Sequence, residues 1–237
     1  MGINMTADDG FRTDIAISGD PRVAVVGVGG AGCRIASMIY NGMHRVGVVA
    51  VNTDRKALEQ TSADYRMYIC KEVTKGLGTN GDPELGKRCA QIHESDLMAV
   101  LKNYKYVYIV AGMGGGTGTG AAPVIAELCA RANIDFGAVV IMPFSFETER
   151  AYEASKGYRT LHSRCEDIVR FENDKAVSAK GVSTMGDALE LINESVVKVI
   201  TNAINDAPMI IKANYARRID KARANGSCVA APKVTSL

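Results

Sequence analysis

The feature that most constrains the fold is a nine-residue loop, Gly112-Met113-Gly114-Gly115-Gly116-Thr117-Gly118-Thr119-Gly120, in which six residues are glycine. The run before it, Lys105 to Ala111, is apolar and β-branched and reads as a buried strand. The segment after it reads as a helix to about Arg131. Glycine loses more backbone entropy on folding than any other residue, so a loop this rich implies close approach of its backbone to a ligand. Thr117 and Thr119 add hydroxyls suited to phosphate oxygens or a metal-bound water.

A second glycine loop has the same setting. Gly27-Val28-Gly29-Gly30-Ala31-Gly32 follows the short strand Arg22 to Val26 and opens a helix over 31–42, with Ile35, Met38 and Ile39 on its apolar side. It satisfies G-x-G-x-x-G, and Asp54 lies about 20 residues further on, where a ribose-binding acid belongs. Alone, this loop is either a dinucleotide site of an NAD-dependent oxidoreductase or a tight turn without ligand. A simple dinucleotide domain has no use for a second cradle as rich as residues 112–120.

The rest of the chain alternates strand and helix. Strands are expected at 47–51, 66–70, 136–142 and 167–171, and helices at 148–164 and 186–205. The last helix carries Leu189, Ile192, Val196, Val199, Ile200 and Ala203 on one face. Lys75 to Pro83 is a loop by composition, and Pro83 suits the first position of a helix to about Asn103, capped by Asp82. This order predicts an α/β fold, a mainly parallel sheet flanked by helices, with ligands at the carboxyl ends of the strands.

Composition narrows the function. With 237 residues, 47% hydrophobic and 23% charged, the chain can bury one large core. A net charge of +2 argues against a nucleic-acid partner, and 6% aromatics without tryptophan argue against a base-stacking surface. No apolar run approaches the ~20 residues of a membrane span. Residues 1–20 are polar, with Asp8, Asp9, Arg12, Asp14 and Asp20, and read as a flexible tail rather than a signal peptide. Six dispersed cysteines without a C-x-x-C pair read as reduced thiols, hence a cytoplasmic protein. Three scattered histidines give no metal-ligand spacing, so no protein-built metal site is expected.

Six segments together resemble the tubulin/FtsZ superfamily of GTPases. GGGTGTG at 114–120 looks like its signature, and GVGGAGC at 27–33 is similar to its first nucleotide loop. VNTD at 51–54, KGLGTNGDPELG at 75–86 and MPFSFE at 142–147 resemble, in order, its strand-end, γ-phosphate and ribose-side motifs. EN at 172–173 resembles a further one, and the likeness spans about residues 21–205.

The resemblance implies GTP/GDP as ligand, with Mg2+ held mainly by phosphates and water. It implies backbone contacts to phosphates from Gly29, Gly30, Ala31 and Gly32, and from Gly114, Gly115, Gly116, Thr117 and Gly118. It places Ala50, Asn52 and Asp54 near the nucleotide and its metal, and Thr79, Asn80 and Gly81 over the γ-phosphate. Glu147 and Arg150 would meet the ribose and base side, or form an ordinary ion pair. Asn173 and Asn193 would read the guanine edge; otherwise Asn173 is a turn and cap, and Asn193 a solvated helix position.

Two departures from the pattern matter. Gly32-Cys33-Arg34 stands where FtsZ usually has asparagine, so Arg34 is expected to stack on the base or reach a phosphate instead. In FtsZ and tubulin the central helix leads to an acidic loop that completes the next subunit's site, and then to a second domain. In the 32 residues after Asn205 the expected N-x-D-x-x-D is replaced by Asn214 followed by Ala216 and Ile219. The expectation is a GTP-binding switch or scaffold with slow or partner-dependent hydrolysis. It acts through self-association or an FtsZ-like partner, the alternative being a filament-forming GTPase of division or cell shape.

Overall fold

In the computed structural model the described residues are 22–42 and 46–224. The tail expected over 1–20 and the stretch 225–237 of the C-terminal extension lie outside them. Six strands form one sheet: β1 (Val23–Val28), β2 (Gly47–Asn52), β3 (Tyr65–Tyr68), β4 (Tyr106–Gly112), β5 (Asp135–Met142) and β6 (Ile168–Glu172). Every pairing is parallel and the spatial order is β3-β2-β1-β4-β5-β6.

β1 and β2 are buried along their whole length, because helices cover both faces of a parallel sheet. Their side chains alternate between two cores. Ala24, Val26 and Val28 join the core under α4 (Pro83–Ile92), α5 (Glu94–Leu101) and α6 (Gly116–Arg131). Val23 and Val25 join the opposite core, under α1 (Gly29–Gly42) and the long α9 (Met185–Ala224). α7 (Thr148–His162) packs beside α6.

Local sequence rules account for most element ends. Asp82 caps α4, its carboxylate accepting from Glu84 N at 2.9 Å and Leu85 N at 3.2 Å, with Pro83 in the first turn. Two expectations differ from the structure. The helix expected over 83–103 is broken at His93, whose backbone (φ −99°, ψ 21°) leaves helical geometry. The helix expected over 186–205 runs on to Ala224, because Ala207, Ile210 and Ile211 continue the stripe of Ile192, Val196, Ile200 and Ile204 against the core. Three short helices were not expected: α2 (Arg55–Glu59), α3 (Lys71–Thr74) and α8 (Asn173–Val177).

Candidate functional site

The sheet order locates the site. β1 and β4 are neighbours, yet the chain leaves them toward opposite faces, into α1 and α6. Such a divergence opens a crevice at the carboxyl ends of the strands. Both glycine loops lie in it.

One hollow of about 320 Å3 is lined by Gly29, Gly30 and Ala31 from the first loop and by Gly112 and Gly115 to Gly118 from the second. Asn52, Asp54, the Leu77 to Asn80 stretch and Arg150 complete its wall. α6 starts after Gly115 without a side-chain cap, and α1 starts after Val28, which has no polar side chain to offer. Two helix N-termini therefore present backbone N–H groups and positive dipole ends to one space, the arrangement that binds phosphate. Gly29 takes φ +71°, and a Cβ there would come within 2.9 Å of Gly118 N, so the two loops touch through backbone.

Hydroxyls and one amide gather at the same end. Thr53 Oγ1 and Thr117 Oγ1 are 2.7 Å apart, and Thr117 Oγ1 is 3.5 Å from Thr79 Oγ1. Asn52 is 2% exposed; its Oδ1 accepts from Thr53 N at 2.9 Å and Asp54 N at 3.3 Å, while its Nδ2 has no partner. A buried donor without an acceptor costs free energy unless a ligand supplies one. Asp54 is the single carboxylate in this lining, and its Oδ1 caps α2 by accepting from Ala57 N at 3.0 Å. No group of three or more acidic, histidine or cysteine residues able to hold a metal occurs among the described residues. A divalent cation here would therefore rest on ligand phosphates, water and at most Asp54.

A second hollow, also about 320 Å3, adjoins the first and shares Ala31, Gly112 and Arg150 with it. Its walls are apolar, from Pro143, Phe144, Phe146, Met185, Leu189 and Ile192, with Glu147, Arg150, Asn173 and Asn193 as the polar groups. Asn173 opens α8, is 6% exposed, and its Oδ1 has no partner. Asn193 is buried on α9 and faces this hollow, not solvent. Glu147 and Arg150 form an ion pair, and Glu147 Oε2 also accepts from Phe144 N at 3.0 Å. Asp174 accepts from Ser145 N at 3.1 Å, which ties the 143–147 loop to α8.

The two hollows form one trough with a polar glycine end and an apolar end carrying two asparagines. Of the residues singled out in the sequence, Gly29, Gly30, Ala31, Asn52, Asp54, Thr79, Asn80, Gly115, Gly116, Thr117, Gly118, Glu147, Arg150, Asn173 and Asn193 line it. Gly32, Arg34, Ala50, Gly81 and Gly114 do not. Gly32 is buried in the first turn of α1, where a Cβ would strike the Val110 carbonyl. Ala50 is wholly buried in β2, and Arg34 and Gly81 are exposed. Gly114 packs on the Arg150 backbone and donates its N–H to Thr119 Oγ1 at 2.8 Å. Leu77 and Gly78, which also line it, were missed although they sit inside the quoted 75–86 motif, and so was Thr53 of VNTD, which is buried behind the lining with its hydroxyl on Thr117.

Comparison with known proteins agrees with this geometry. The Tubulin/FtsZ family, GTPase domain, matches residues 22–180. Cell division protein FtsZ 2 of Haloferax volcanii is 34% identical over 202 residues, covering 84% of this chain and 50% of that protein. FtsZ 1 of Pyrococcus abyssi is 36% identical over 181 residues, covering 76% of this chain and 49% of that one. Among solved structures, the empty FtsZ dimer of M. jannaschii superposes with a TM-score of 0.72 at 32% identity, covering 76% of this chain and 53% of the other. CetZ2 from Haloferax volcanii, a GTPgS-bound protofilament, superposes with a TM-score of 0.70 at 25% identity, covering 78% and 58%. The chain thus spans about half the length of the curated relatives it matches. The NAD reading finds no support: Asp54, its ribose acid, caps α2 within the hollow that holds both glycine loops. The chain belongs to the Tubulin/FtsZ family, through its GTPase domain.

Proposed function

We propose that the trough binds GTP and GDP. The observation that carries this reading is the pairing, in one continuous trough, of a doubly uncapped glycine end with an apolar end holding Asn173. The phosphates lie over Gly29, Gly30 and Gly115 to Gly118, and the terminal phosphate beneath Gly78 to Asn80. The base packs on Phe144 and Ile192, and the orphaned Asn173 Oδ1 accepts from the N1 and N2 donors of guanine, which adenine lacks. Mg2+, when bound, would supply charge neutralisation at the phosphates and would be held by them, by water and by Asp54, while the free Asn52 Nδ2 would donate to a phosphate oxygen.

Hydrolysis needs a positioned water as well as phosphate electrostatics. α9 continues as helix through 214–220, where Ala216 and Ile219 hold the positions of the family's acidic residues. This supports slow or partner-dependent turnover, with the bound nucleotide acting as a switch. One observation favours a filament-forming alternative: Leu77 and Phe146, at opposite ends of the trough, are 83% and 67% exposed. Apolar residues at the rim of a nucleotide site suit burial by a second subunit.

The test is equilibrium titration with GTP, GDP and ATP, followed by turnover against protein concentration with light scattering on the same samples. Binding of both guanine nucleotides, with ATP weaker by at least about tenfold, is expected. No binding, or equal binding of ATP, refutes the site. Turnover per molecule that rises with concentration, alongside scattering, refutes the claim of slow unaided hydrolysis and favours the filament.

A further inference from the structure

The loop that brings Gly78, Thr79 and Asn80 to the phosphate end is held from outside the trough. Between residues 70 and 81, Cys70 (φ 64°), Lys75 (49°), Gly76 (85°), Gly78 (76°), Asn80 (48°) and Gly81 (84°) all have positive φ. Cys70 and Lys75 are neither glycine nor asparagine, and such residues keep a left-handed conformation where their surroundings over-determine it. Cys70 is the first of them, where the chain leaves β3 for α3, and its side chain makes no cap hydrogen bond.

His93 meets Cys70 at this turn. The Cys70 N–H donates to His93 Nε2 at 2.9 Å, and His93 Nδ1 lies 3.0 Å from Asp96 Oδ2. With Nε2 accepting, the neutral ring carries its proton on Nδ1 and donates it to Asp96, which fixes tautomer and orientation together. The Cys70 carbonyl then accepts from Thr74 N at 3.0 Å. The Thr74 hydroxyl sits 3.1 Å from the Cys70 carbonyl and 3.2 Å from that of Thr53. Thr53 pairs with Thr117, and Thr117 approaches Thr79. A hydrogen-bonded path thus joins a histidine that lines neither hollow to the hydroxyls at the phosphate end.

We infer that His93, oriented by Asp96, is a positioning residue for the γ-phosphate loop, pinning Cys70 in its left-handed turn and thereby setting the preference for nucleoside triphosphate over diphosphate. The inference rests on the GTP reading of the trough. The α- and β-phosphates lie on the β1 and β4 loops, which His93 reaches only at the far end of this path, through Thr53 and Thr117, whereas the 70–81 loop it pins covers the terminal phosphate; loosening the pin therefore acts chiefly on that phosphate.

The experiment compares wild type, His93→Leu, His93→Gln and Asp96→Ala. It measures affinity for GDP and for a non-hydrolysable GTP analogue, with hydrogen exchange of the 70–81 amides in the absence of nucleotide. His93→Leu removes the acceptor, and the ratio of analogue to GDP affinity is expected to fall about fivefold. Exchange across 70–81 should quicken. His93→Gln keeps an acceptor near Nε2 and restores most of the ratio, whereas Asp96→Ala, at an exposed helix position, shows a smaller fall. Equal weakening of both nucleotides, or a Gln variant as impaired as Leu, overturns the inference. Should His93→Leu not fold, an unmoved ratio in Asp96→Ala overturns it instead. A wild type that binds neither nucleotide refutes the site and the inference with it; binding with unmoved ratios refutes the inference only.

Discussion

Gly30→Ala and Gly120→Ala separate glycines that serve a ligand from glycines that serve packing. Gly30 lies in the first turn of α1 with a backbone any residue can adopt, and a Cβ there meets nothing within 4 Å. Alanine narrows the unfolded ensemble, so stability rises by about 0.4–1 kcal/mol. That corresponds to a gain of roughly 1–4 °C in Tm for a chain of this size. Gly30, however, lines the hollow proposed to hold the phosphates. The added methyl excludes a phosphate oxygen, and GTP affinity falls by about tenfold or more. Gly120 is the converse. A Cβ there would strike the Pro83 carbonyl and come within 2.5 Å of Lys87 N, both backbone atoms of α4, with no flexible side chain to yield. The cost is about 1–3 kcal/mol, or roughly 2–12 °C in Tm. Thermal melts of the free protein, paired with titration of a fluorescent GTP analogue, read both. A Gly30→Ala variant that melts higher yet binds GTP normally would place the phosphates elsewhere. A lower melting point for it would refute the steric argument.

Asn173→Ala should weaken GTP by about tenfold and leave ATP unchanged in a competition assay; equal loss for both would remove Asn173 from base recognition. Thr117→Val strips the hydroxyl that pairs with Thr53 at 2.7 Å. A fall in stability of about 1–3 kcal/mol in urea is expected, and an unchanged midpoint would show the hydroxyl row to be idle. Burial pushes the Cys33 and Cys129 thiols up to about 12 from an ordinary 9.0. The native state holds protons that the unfolded chain releases above about pH 9, so stability falls as pH rises from there toward 12. Each thiol contributes a loss on the order of 1 kcal/mol by pH 10; a flat urea midpoint between pH 8 and pH 10 would contradict it.

Much of the fold was legible because its causes are local. β-branched runs, the Asp82 cap with Pro83, and glycine at strand ends act over one to four residues. They located all six strands to within a few residues and both glycine loops. The break at His93 was not legible, since it carries no proline or glycine and its ring is engaged with Cys70, on another element. The reach of α9 to Ala224 was not legible either. Beyond Asn205 the composition turns polar, while the stripe of buried Ala207 and half-buried Ile210 and Ile211 shows only against the core.

The site divides along the same line. The sequence by itself determined which chemistry was on offer: glycine backbones for phosphate, threonine hydroxyls, asparagine amides for a base, and the family to which they belong. Only the tertiary structure decided which of these residues meet. Arg34 and Cys33 are adjacent, yet the helix turns Cys33 into the core and Arg34 to solvent. Asn173 and Asn193 face one hollow because β6 ends, and α9 begins, at the same rim. The order β3-β2-β1-β4-β5-β6 sets the two glycine loops side by side. Strand order follows from burying both faces of the sheet under helices, a condition on the whole chain that no window of sequence contains.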